Sequence, residues 1–154
     1  MKFNPALALG LIGLALFTPP LMAEDKHHHA ETSHEAHPDH MLEGYAVVSA
    51  ALYKDDLAAA QKAATGMVKH DKDTAMAKHA QAIAGSKSLE DARKHFAELS
   101  EIAIAVAKTK KTMHVAHCPM ALDGEGANWL QASEKEIQNP YMGTKMPHCG
   151  KFMK

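Results

Sequence analysis

Both cysteines of this 154-residue chain lie near its C-terminal end, in two short words that are near mirror images: His117-Cys118-Pro119-Met120 and Met146-Pro147-His148-Cys149. Each word offers a thiolate, an imidazole and a thioether. Soft Cu(I) selects that donor set, and Zn(II) accepts part of it. Cys118, Met120, Met146 and Cys149 are the expected inner ligands, because thioethers hold Cu(I) without oxidising as readily as thiolates. Neighbouring side chains of an extended backbone point to opposite faces, so His117 and His148 are second-rank ligands. Zn(II) on two cysteines and two histidines is a weaker alternative: the spacings match no standard finger and the methionines would be idle. Ag(I), equally soft, is a further candidate.

The competing reading is structural. Two cysteines in an exported domain most often form a disulfide, and a Cys118 to Cys149 bridge closing a loop of about 30 residues would contribute on the order of 3 to 4 kcal/mol. In that reading the chain is a non-enzymatic interaction module, with Trp129 and Tyr141 packing or meeting a partner. The bridge accounts for the cysteines but not for the histidine, methionine and proline around each of them. An enzyme is not expected. No oxyanion-hole signature or third orienting residue accompanies a Cys/His pair, and there is no CxxC within a βαβ pattern.

The first 23 residues read as a secretory signal, with Lys2 ahead of an apolar run from Ala6 to Phe17 and a small residue at Ala23. The run is too short for a bilayer span, and nothing later is long enough. An exported, soluble, periplasmic protein with no membrane span after cleavage is the expectation. Residues 24–41 form a polar arm carrying His27, His28, His29, His34, His37 and His40, half of the 12 histidines. The arm has no apolar period and is expected to be disordered and to gather Cu(II) or Zn(II) loosely. A net charge of −1, with no basic cluster beyond Lys108, Lys110 and Lys111, leaves no footprint for nucleic acid.

Residues 42–111 are helical in pattern and rich in alanine. Leu42, Tyr45, Val48 and Leu52 form one stripe. Asp55-Asp56 cap a second helix with Leu57, Ala60, Ala64, Met67 and Val68 inward, and Asp73 or Thr74 opens a third that runs to Ala84. A fourth starts at Ser88 and repeats Leu89, Ala92, Phe96, Leu99, Ala103 and Val106. Short links predict an all-α antiparallel bundle of about four helices. Met67 and Met76 are expected as core filler, and His70, His79 and His95 as solvated helix residues, with a weaker second site on the bundle left open. Residues 112–154 are expected to be an irregular tail packed on the bundle. It would contain a short strand over Met113 to Ala116, a turn at Asp123-Gly124-Glu125-Gly126, and one helical turn from Ser133 to Ile137.

From Tyr45 to Gly150 the chain resembles a periplasmic domain of unknown function that occurs alone and fused to the C-terminal end of periplasmic adaptor subunits of copper and silver efflux pumps. The resemblance is carried by Tyr45, Ala51-Leu52, Asp55-Asp56-Leu57, His117-Cys118-Pro119-Met120-Ala121, Gly126-Ala127-Asn128-Trp129-Leu130, Asn139-Pro140-Tyr141-Met142-Gly143, Met146 and Cys149-Gly150. The pattern departs at Pro147-His148 and in the histidine arm. The resemblance implies a helical bundle associated with heavy-metal resistance. The expected function is therefore capture of Cu(I), or Ag(I), for sequestration or delivery to an efflux adaptor.

Overall fold

A computed structural model describes residues 38–70, 72–108 and 113–154. The signal segment and the arm through His37 lie outside the described residues. Four helices follow one another: α1 (Pro38–Tyr53), α2 (Leu57–His70), α3 (Ala75–Gly85) and α4 (Leu89–Ala107). Each packs on the next and α4 closes back on α1. Helix α1 begins four residues before Leu42, so His40 and Met41 belong to the bundle and not to the arm. Met41 is buried, and that burial is what extends the helix backward.

The expected caps form, with one reassignment. Thr74 accepts from the Ala77 N–H and Ser88 accepts from the Asp91 N–H. At α2 only Asp56 caps, accepting from the Ala59 N–H at 2.8 Å. Asp55 stands in the left-handed region, φ 57°, and turns its carboxylate to the C-terminal part of the chain. Met67 and Met76 are buried in the core, as their stripe positions require.

The tail corrects the all-α expectation: the fold is mostly helical but carries a small antiparallel sheet in the order β2-β1-β3. Its strands are β1 (His114–Cys118), β2 (Ala127–Gln131) and β3 (Lys151–Phe152). Ala116 faces Trp129 on one side and Phe152 on the other. The turn after β1 forms as expected around Asp123 and Gly124. The helical turn over Ser133 to Ile137 does not. Gln131 Nε2 donates to the carbonyls of Ser133 and Glu136, which pulls that segment into bends.

An aromatic column ties sheet to bundle. Tyr45 of α1 stacks on Phe96 of α4 at 5.0 Å, Phe96 meets Tyr141, and Tyr141 meets Trp129 edge-on at 6.0 Å. Trp129 is fully buried and Tyr141 nearly so; both are packing residues. Through the same region runs a chain of hydroxyls. The Leu130 N–H donates to Tyr45 Oη, which lies 2.9 Å from Ser100 Oγ; Ser100 lies 3.1 Å from Tyr141 Oη, which donates to the Asn128 carbonyl. Since the amide can only donate and the carbonyl can only accept, each hydroxyl in between gives one hydrogen bond and receives one. Burial pushes both phenols well above their ordinary range, so both stay neutral.

We predict that Ser100→Ala destabilises the protein by about 2 kcal/mol, since it leaves the buried Tyr45 hydroxyl with no acceptor and Tyr141 with no donor while removing only one small atom. Urea unfolding of the variant beside Ser100→Thr, which keeps the hydroxyl, measures this. A change below half a kilocalorie would mean that the chain of hydroxyls is not holding the tail.

Candidate functional site

Cys118 is the last residue of β1 and points with Ala116 into the core, fully buried; His117 points to the other face. Continuing the β1–β3 register past its last pair sets Cys118 opposite Gly150, which brings the preceding Cys149 beside it. Both are free thiols, and Cys118 is the strongest single influence on the Cys149 thiol. The approach depends on Gly150, φ 131°: a Cβ there would stand 2.7 Å from the His117 carbonyl oxygen and 3.0 Å from the Trp129 ring.

Asn139 holds the second cysteine in place. Its buried amide donates to the Cys149 carbonyl at 2.7 Å and accepts from the N–H groups of Tyr141 and Met142. Its backbone N–H donates to the Pro147 carbonyl. One side chain thereby ties the Tyr141-Met142 turn to the Cys149 word. In the sequence Asn139 stood out only among the residues that carry the family resemblance. The available signal was an asparagine ahead of Pro-Tyr, a residue that bonds the backbone two and three positions on.

A second clamp fixes the turn that follows. Arg93 of α4 bonds the Asp55 carboxylate and donates to the carbonyls of Leu52 and Pro140, while Thr144 donates to Asp55 through both its N–H and its hydroxyl. Gly143, φ 53°, lies against this group; a Cβ there would collide with the carboxylate and the guanidinium. Partial burial alone would raise the Asp55 pKa, but the hydrogen bonds from Thr144 and Arg93 overcome it and hold the carboxyl below its usual range.

The donors expected from sequence are thus only partly brought together. The Cys118 and Cys149 thiols are brought side by side by the strand register, and the Met120 N–H lies where it favours the Cys149 thiolate. The Met120 side chain is 53% exposed and lines an open cavity of about 590 Å³ with Met142, Arg93 and Tyr141. Met146 is half-buried and accepts from the Cys149 N–H through its carbonyl. The imidazoles turn elsewhere. His117 Nδ1 donates to Asn128 Oδ1 at 3.0 Å, and His148 Nδ1 donates to the Ile137 carbonyl at 2.9 Å with Nε2 near Glu136. Among the described residues no three His, Cys, Asp or Glu side chains converge as a metal-holding group. Sequence reasoning did not single out Met142, whose place beside Met120 follows from the Asn139 turn.

The Cys149 thiol is pushed up to about 11, first by its hydrogen bond with Cys118, then by burial and by the charge a Cys118 thiolate would carry; the Met120 N–H opposes these. The Cys149 thiol therefore rests neutral near pH 7.

A family model described as "Protein of unknown function (DUF3347)" matches residues 41–114. That span holds the four helices and the first residue of β1, and it stops short of both cysteines. No curated protein matches, and no solved structure matches.

Two outcomes follow from these pKa shifts. Alkylation of Cys149 by iodoacetamide should be slow at pH 8 and accelerate toward pH 11, and Cys118→Ala should move that rise to lower pH by removing its largest cause. For Asp55, a folded-state pKa below the unfolded value of about 3.9 means that its stabilisation is complete above that value and is lost as pH falls through the folded pKa. Asp55→Asn should accordingly flatten the acid limb of a stability-against-pH curve below about pH 4. An unchanged limb would remove the clamp from the account of the loop.

Proposed function

We propose that the chain binds Cu(I), or Ag(I), as cargo at its two cysteines in the periplasm, for sequestration or for delivery to the adaptor of a heavy-metal efflux system. The observation that carries this reading is the strand register that sets Cys118 opposite Gly150 and so brings Cys149 beside it, with Cys118 the first influence on the Cys149 thiol and Met120 exposed nearby. Soft monovalent ions accept two thiolates with one or two thioethers, whereas tetrahedral Zn(II) would require imidazoles that here turn to Asn128 and Ile137. Binding must displace protons from the thiols, so affinity falls as pH falls. Because Cys118 is buried, the ion would enter from the side of Cys149 and Met120. The efflux association rests on the family resemblance, and the periplasmic location on the signal-like first residues. The histidine arm would collect Cu(II) or Zn(II) loosely.

One observation favours a second reading: two thiols already in contact inside an exported domain can oxidise to a disulfide. The chain would then be an interaction module whose tail is pinned by the bridge.

An anaerobic Cu(I) competition titration on reduced full-length protein separates the two. We expect one tight equivalent, lost in Cys118→Ser and in Cys149→Ser and weakened at least tenfold in the double variant Met120→Leu/Met146→Leu, whose side-chain volumes barely change. Tight binding that survives both cysteine variants would overturn the site. An absence of free thiols in protein isolated under native conditions would favour the bridge.

A further inference from the structure

We propose a second, independent metal site, for a borderline divalent ion such as Zn(II), built by His40 of α1 and His70 of α2. The proposal does not rest on the cysteine reading. Helices α1 and α2 are joined by a three-residue link, Lys54 to Asp56, and run antiparallel. Their close approach is at Gly44, where an added Cβ would lie 2.5 Å from Met67 Cγ. His40 lies one turn before Gly44 and His70 one turn after Met67. In antiparallel helices those two displacements lead to the same end of the pair. The imidazole rings meet there with centroids 4.8 Å apart, tilted by 56°.

The chemistry of the pair suits an ion. His40 Nδ1 donates to Glu43 Oε2 at 3.2 Å, since an ionised carboxylate can only accept. That bond selects the Nδ1–H tautomer and directs the Nε2 lone pair outward, the arrangement in which a carboxylate orients a metal-binding imidazole. Two imidazole nitrogens sharing one tetrahedral ion stand roughly 3.4 Å apart, given bonds of about 2.0 to 2.1 Å. Ring centroids 4.8 Å apart put the two imidazoles within reach of one ion. Together with Met41, Gly44, Val47, Ala63 and Met67 they line an open, mostly apolar cavity of about 200 Å³. Water would complete the coordination on the exposed side, where His40 and His70 are both solvent-accessible. This end of the bundle is the opposite one from the α1–α2 turn, where Asp55 grips the tail. An ion here would cross-link α1 to α2 without touching the thiols.

The arm would mask the site in a direct titration, so the test uses the full chain with His27, His28, His29, His34 and His37 each changed to Gln. Zn(II) is titrated by calorimetry while imidazole resonances are followed by NMR. The expected result is one equivalent that shifts the His40 and His70 ring signals together. Its affinity should fall at least tenfold in His70→Gln and in His40→Gln, and remain unchanged in His79→Gln on α3. Helicity by circular dichroism should be equal in all of them. Binding that survives His70→Gln, or no shift of these two rings at saturating Zn(II), would overturn the proposal. A cysteine-only Zn(II) site would appear as binding indifferent to both histidines, which also overturns it.

Discussion

The buried run of hydroxyls from Tyr45 through Ser100 to Tyr141 is the constraint on which the rest of the structure depends. It begins at the Leu130 amide and ends at the Asn128 carbonyl, both on β2, so the bundle and the sheet complete each other's hydrogen bonding. Neither part can satisfy these groups alone. A bundle without the sheet would leave the Tyr45 and Ser100 hydroxyls facing an open apolar surface, and a sheet without the bundle would expose Trp129. The aromatic column through Tyr45, Phe96, Tyr141 and Trp129 supplies the apolar area, and the hydroxyls set the registration.

Once the sheet is docked, the sulfur pair follows from local geometry. The β1–β3 register sets Gly150 opposite Cys118, and glycine alone permits that approach against the His117 carbonyl and the Trp129 ring. Asn139 then fixes the Cys149 backbone, and the Asp55, Arg93 and Thr144 group fixes the turn on the other side of Met142. The Asn139 clamp binds partners within ten residues, whereas the second is made of groups far apart in sequence: Arg93 reaches Pro140 and Asp55 reaches Thr144. The result is a pair of thiols held together, with Met120 exposed nearby. Such a pair can lose its protons to solvent as a soft ion binds, or lose two protons and two electrons to an oxidant on forming a disulfide, and the surrounding frame is the same in either case.

The family match and the chemistry fall on different parts of the chain. The matched span, residues 41–114, covers all of the helical frame but the first three residues of α1; the cysteine words lie beyond it. In the α1–α2 pair the close approach at Gly44 brings His40, just ahead of the matched span, to His70, while at the opposite end of the same helix pair Asp55 holds the tail. Borderline imidazole donors and soft sulfur donors are therefore carried at separate ends of one bundle, where an ion preferring one set would not compete for the other.

Much of the helical frame could be read from residue order alone, because helix formation depends on spacings of three and four and on caps a few residues away. The stripes through Tyr45 and Phe96, the caps at Thr74 and Ser88, and the buried Met67 and Met76 are all local signals. The start of α1 was not legible, since Met41 is drawn into the core by contacts that lie outside the helix. The sheet was hidden as well: β3 is two residues long, and β2 carries Asn128 and Gln131 among its apolar positions, so neither shows a period. Of the candidate site, the residue types were determined by sequence, and soft donors at Cys118, Met120, Met146 and Cys149 need no fold to be recognised. Which of them meet was decided only by tertiary structure. Strand alternation turned His117 away from Cys118, and pairing across the sheet brought Cys149 to it. The physical reason is the range of the interactions involved: side-chain identity and helix period act within a few residues, whereas strand register and buried hydrogen bonds join groups from nine residues apart, as Cys118 and Ala127, to 85 apart, as Tyr45 and Leu130.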